Sequence, residues 1–169
     1  MAQIYLTPGG LDRLRNRIDD ARARYQAVVA DNPAALESGD TSGWHDNFAF
    51  EDNQREMHRL ARRIRDLEAV WSQVSVVPLP RRPERAILGA QVRWRYLDET
   101  EERSCWIAGF DDGDPDRGRI SYNSPLGAAL LGAEPGDERT AKIGDQQKRL
   151  EILDIAPVAP MEDHPCLAA

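Results

Sequence analysis

Residues 36–54 read LESGDTSGWHDNFAFEDNQ and hold five acids, no lysine and no arginine. What lies on either side decides the fold. Before this stretch, Leu11, Leu14, Ile18, Ala21, Tyr25 and Val28 recur at alternating spacings of three and four. After it, Phe50, Asn53, Met57, Leu60, Ile64, Leu67, Trp71 and Val74 do the same. Each series is the seam of an amphipathic helix. Two seams joined by a short connection predict an antiparallel helical hairpin, a coiled coil whose bend is the quoted stretch. Thr7 before Pro8 suits an N-cap followed by proline in the first turn. Pro33 either kinks the first helix or opens a short extra turn through Leu36.

Charge is sorted along this rod. Between Tyr25 and Gln54 stand Asp31, Glu37, Asp40, Asp46, Glu51 and Asp52, and no base. Arg13, Arg15, Arg17, Arg22 and Arg24 flank that window on one arm, and Arg55, Arg59, Arg62, Arg63 and Arg65 on the other. Ordinary solvated faces with intrahelical pairs account for the arginines equally well. The absence of every base from the bend needs a further reason. An arginine beside a carboxylate would compete with any cation brought there.

Periodicity stops at Pro78-Leu79-Pro80-Arg81-Arg82-Pro83, a linker. Beyond it the period is two: Val92, Trp94 and Tyr96 alternate with Arg93, Arg95 and Leu97, the pattern of a half-buried strand. Further strands are predicted from Cys105 to Phe110, 119–123, 139–143 and 149–155, with DDGDPDRG (111–118) as a hairpin signal. Ser124-Pro125 opens a short helix. The expected fold class is α+β: an antiparallel hairpin over 1–77, a small antiparallel sheet with one helix over 78–156, and a disordered tail over 157–169.

The 169 residues carry a net charge of −7, which argues against binding nucleic acid or anionic membrane through overall charge. Cys105 and Cys166 support neither a disulfide framework nor a structural zinc site. No secretory signal and no membrane-length apolar run is visible, so a cytoplasmic protein is expected. His45, His58 and His164 are isolated and read as solvated side chains.

The opening LTPGGLDRLRNRI, the Gly39-Asp40 and Asp46-Asn47 pairs, and ISYNSPLGAALLGAEPGD (120–137) together resemble the bacterial Gre transcript-cleavage factors. The resemblance covers residues 4 to about 156 and implies a partner, bacterial RNA polymerase. The C-terminal domain, similar to an FKBP fold without isomerase activity, would dock on the rim of the secondary channel through Asn123, Ser124 and Pro125. The hairpin would enter the channel, with Trp44 touching its wall and the tip reaching backtracked RNA. Asp40 and Asp46 would support a Mg2+ shared with the polymerase active site, and the polymerase would cleave its own transcript. The chain would be a monomeric cofactor protein with no catalytic residues of its own and no stably bound metal. Hard carboxylate oxygens suit such an ion, and two alone hold it weakly.

The tip departs from the family. Its two acids usually stand three positions apart; here TSGWH separates Asp40 from Asp46. Ala133 replaces a lysine that usually follows Leu-Gly. Gly39 and Asp46 also suit simple capping of the two helices, and Trp44 suits packing on Phe48 or Phe50. A second reading therefore stands beside cleavage stimulation: a polymerase-binding modulator or inhibitor. A coiled-coil adaptor unrelated to transcription is the third. The lack of a dense His/Asp/Glu cluster argues against a stand-alone nuclease, since one weak acid pair cannot hold two metals.

Overall fold

A computed structural model describes residues 3–37 and 48–158. The elements run β1 (Ile4–Leu6), α1 (Pro8–Glu37), α2 (Phe48–Trp71), β2 (Val74–Val76), β3 (Ala90–Tyr96), β4 (Glu102–Ala108), β5 (Arg119–Ser121), α3 (Pro125–Leu130), β6 (Glu138–Ile143) and β7 (Gln146–Pro157). The chain divides into two compact units, residues 12–73 and the remainder.

In the first unit the middle of the seam is buried as its spacing predicts, with Leu14, Ile18, Ala21, Leu60 and Leu67 all under one-tenth exposed, whereas Trp71 at the end of α2 is 41% exposed. Arg22 on α1 reaches Glu68 on α2 at 2.6 Å. That contact fixes the direction of the arms. At 1.5 Å per residue, Glu37 lies about 22 Å beyond Arg22, and Phe48 about 30 Å before Glu68. Parallel arms would leave about 50 Å to be spanned by residues 38–47, which reach about 39 Å fully extended. The arms are antiparallel. α1 continues through Pro33 to Glu37. Among the described residues no helix is long and apolar enough to cross a membrane.

The second unit is built on a five-stranded sheet of order β5-β4-β3-β7-β6. Val92, Trp94 and Tyr96 face inward and join Ile107, Leu130, Leu150 and Ile152 in one core. The long β7 pairs antiparallel with β3 on one side and β6 on the other. One pair departs from the all-antiparallel expectation. β5 runs parallel to β4, with Ile107 opposite Ile120. The turn signal in DDGDPDRG is local: Asp114 and Arg119 exchange both backbone hydrogen bonds, at 2.8 and 2.9 Å, around a 3-10 turn at Pro115–Arg117. Having closed that small loop, the chain enters β5 in the same direction as β4.

Two short strands carry no distinct period. β1 and β2 pair in parallel, Ile4 opposite Val74. Val74 continues the α2 spacing in the sequence, so it reads as helix. Its partner 70 residues away makes it a strand, and β1 and β2 belong to the unit that holds the sheet. The Phe110 N–H donates to the Tyr5 carbonyl at 3.1 Å, fastening β1 beyond the end of β4. Thr7 caps α1: its Oγ1 accepts the Gly10 N–H at 3.1 Å, and Pro8 is the first helical residue.

Candidate functional site

The stretch ISYNSPLG leaves the sheet at the end of β5 and turns into α3. Ser121 is buried there. Its hydroxyl accepts the Asp111 N–H at 3.0 Å and lies 2.6 Å from the Gly109 carbonyl, within reach to donate. Asn123 turns its Oδ1 back toward the same corner, near the Ser121 hydroxyl and 3.4 Å from the Asp111 N–H. Asp111 sits at φ 51°, a left-handed conformation that aspartate tolerates better than most residues. Ser124 caps α3. Its Oγ accepts the Gly127 N–H at 3.1 Å and donates to the Ser121 carbonyl at 2.7 Å, and Pro125 follows as the first helical residue. Gly127 has no alternative here, because a Cβ would stand 2.1 Å from the Ser121 carbonyl oxygen.

The rest of the motif has equally local work. Gly132 adopts φ 78° and donates its N–H to Ala86 at 2.7 Å. Ala133, at the position of the family lysine, is fully buried. Gly136 adopts φ 90° and donates to the Ile152 carbonyl at 2.7 Å. The Asp137 carboxylate accepts the Glu134 N–H at 3.1 Å and an Arg139 N–H at 2.8 Å. These bonds, the backbone one foremost, hold its pKa below the ordinary aspartate value.

Of the residues singled out in the sequence, Asp40, Trp44 and Asp46 lie outside the described residues. Asn123 and Pro125 are exposed and Ser124 is half-buried. Ser124 serves as a cap, the bland reading of its position. Ser121 and Asp111 escaped sequence reasoning, since only the folded chain brings the 109–112 loop beside the end of β5. The one available signal was the glycine at 127, directly after a Ser-Pro helix start.

On the hairpin, the first base after the acidic window reaches back into it. Arg55 holds Asp52 at 2.9 Å and Glu51 at 3.1 Å. All three side chains are more than half exposed, so the pairs are weak. Among the described residues, no three His, Cys, Asp or Glu side chains converge as a metal site.

Comparison with known proteins covers both units. Residues 4–76 match the family described as "Transcription elongation factor, N-terminal", and residues 81–157 match "Transcription elongation factor, GreA/GreB, C-term". The chain is 30% identical over 158 residues to transcription elongation factor GreA of Yersinia pestis, covering 92% of this chain and 98% of that protein. It is 29% identical over 153 residues to GreA of Roseiflexus castenholzii, covering 89% and 96%. Among solved structures, Gfh1 of Thermus aquaticus is similar at 25% identity and a TM-score of 0.43, with 92% of this chain and 99% of that one covered.

Proposed function

Because the chain belongs to the GreA/GreB family of transcription elongation factors, we propose that it acts in the cytoplasm on bacterial RNA polymerase and stimulates cleavage of backtracked transcripts. The hairpin enters the secondary channel and brings Asp40 and Asp46 to the polymerase active site. The sheet unit docks on the channel rim through the exposed side of Asn123, Ser124 and Pro125.

The observation that carries this reading is the antiparallel hairpin. Its arms end together at Glu37 and Phe48, so the base-free stretch with Asp40, Trp44 and Asp46 joins them at that end. Two aspartates supply hard oxygen donors that suit Mg2+, and too few of them to hold the ion alone. When bound between protein and polymerase, the ion would supply an activated water. The part left to this chain is to orient the two carboxylates and to keep bases away from them. A negative tip also steers the rod into a positively charged channel.

The test is to add the purified protein to stalled, backtracked elongation complexes and to look for shortened RNA that keeps its 5′ end. Asp40→Asn and Asp46→Asn should leave stability within about 0.5 kcal/mol of wild type, because asparagine keeps the size of aspartate and caps a helix as well, and abolish or strongly reduce the shortening. Retained activity in both variants removes these residues from the mechanism. The wider spacing of Asp40 and Asp46, with Trp44 between them, favours a second reading: binding to the same channel with modulation or inhibition of synthesis. Slowed synthesis without RNA shortening at saturating protein selects it.

A further inference from the structure

α1 opens on Pro8, Gly9 and Gly10 and has no acid of its own in its first turn. A carboxylate is nonetheless there. A Cβ on Gly10 would stand 2.9 Å from Oδ2 of Asp112, and 3.2 Å from Oγ1 of the capping Thr7. Glycine at 10 thus leaves room for an acid that arrives from beyond β4. Thr7, Gly10 and Asp112 all belong to the sheet unit. A negative group is favoured at that place, because the first N–H groups of a helix carry its positive end.

The loop that presents Asp112 is fixed on Ser121 from both sides. Before Asp112, the Asp111 N–H donates to the Ser121 Oγ at 3.0 Å. After it, Gly113 lies so close that a Cβ would stand 3.3 Å from the Ser121 backbone nitrogen. The Asp112 N–H itself donates to the Gly109 carbonyl at 3.3 Å. Asn123, exposed at the same corner, turns its Oδ1 on the Asp111 N–H at 3.4 Å. A path of contacts therefore runs from Asn123 through Asp111 and Asp112 to the first turn of α1.

We propose that Asp112 is a positioning residue, seated by the Ser121 corner, through which docking at Asn123 and Pro125 tightens the first turn of α1. The inference rests on the docking reading given above. Asp112 touches no reacting group and acts within the sheet unit.

Two measurements on the full chain test it. The first is amide hydrogen exchange read by mass spectrometry, with and without saturating bacterial RNA polymerase. In the wild type, polymerase should slow exchange at residues 9–11 by about fivefold or more. Asp112→Ala should abolish that slowing while polymerase affinity stays within about threefold. A merely structural residue predicts faster exchange in the free variant and an undiminished response to polymerase. The second measurement tests the contact without a partner. Gly10→Ala displaces the carboxylate and should lower Tm by about 3 °C or more in the wild type. In an Asp112→Ala background the loss should be less than half as large, or turn into a gain, since alanine favours the helix over glycine. Equal losses in both backgrounds overturn the proposal. Polymerase that binds the wild type without slowing these amides, or slows them equally in Asp112→Ala, overturns it too and leaves docking intact. A wild type with no affinity for polymerase overturns the docking reading and this inference with it, whatever Gly10→Ala shows.

Discussion

The corner around Ser121 and the joined ends of the hairpin arms carry two halves of one family resemblance, and the fold accounts for them differently. At the corner several motif residues have internal tasks. Ser121 ties the 109–111 loop, Ser124 caps α3, Gly127 admits a carbonyl, and Asp137 closes a turn. At the joined ends the described acids, Glu51 and Asp52, share one exposed arginine and stabilise little. Residues that packing demands need no partner to explain them. Glu51 and Asp52, which contribute little to the fold, do, and that asymmetry is why this end of the hairpin, and not only the most recognisable motif, is a place to seek function.

Substitutions test the asymmetry, beginning where the fold should suffer most. Gly127→Ala drives a methyl into the Ser121 carbonyl and should cost about 3 kcal/mol or more, or prevent folding of the sheet unit. Chemical denaturation measures it; a loss below about 1 kcal/mol would mean the corner yields easily. Leu67→Ala removes a buried seam residue and should cost about 2–4 kcal/mol. Hydrogen exchange should locate that loss in α1 and α2 while the sheet amides keep their protection. Ser124→Ala should cost about 1 kcal/mol through the lost cap. Its neighbour Pro125 is exposed, and Pro125→Ala should lower polymerase affinity without unfolding the sheet, as a pull-down and a melting curve would show together.

The smallest effect expected is at Asp137. Its carboxyl is held below the ordinary aspartate value, so its contribution to stability is present above that value and is lost as pH falls through the lower folded one. Asp137→Asn should therefore melt slightly below wild type at neutral pH, with the gap closing in strong acid. A gap that widened on acidification would contradict the two hydrogen bonds assigned to this group.

Much of this architecture was legible residue by residue. The spacing of Leu14, Ile18, Ala21, Leu60 and Leu67 marks the buried side of both arms, and the alternation of Val92, Trp94 and Tyr96 marks the inner face of β3. Both patterns are local, because a helix or strand repeats its environment every few residues. Val74 shows where local reading fails: it fits the helical period and still becomes a strand, because Ile4 is there to pair with. The direction of β5 fails for a related cause. A turn signal reports that the chain reverses, not how many times it does so before pairing.

Residue order alone was enough for the two helical seams, the hairpin they form, the change to sheet after the proline-rich linker and the exclusion of bases from the bend. Each follows from periodicity or charge, which neighbouring residues express without help. The parallel pairing of β1 with β2 and of β5 with β4, the task of Ser121, and the need for glycine at 127 emerge from the folded chain. Those depend on which distant backbone arrives within about 3 Å of which, the distance over which a hydrogen bond or a clash acts.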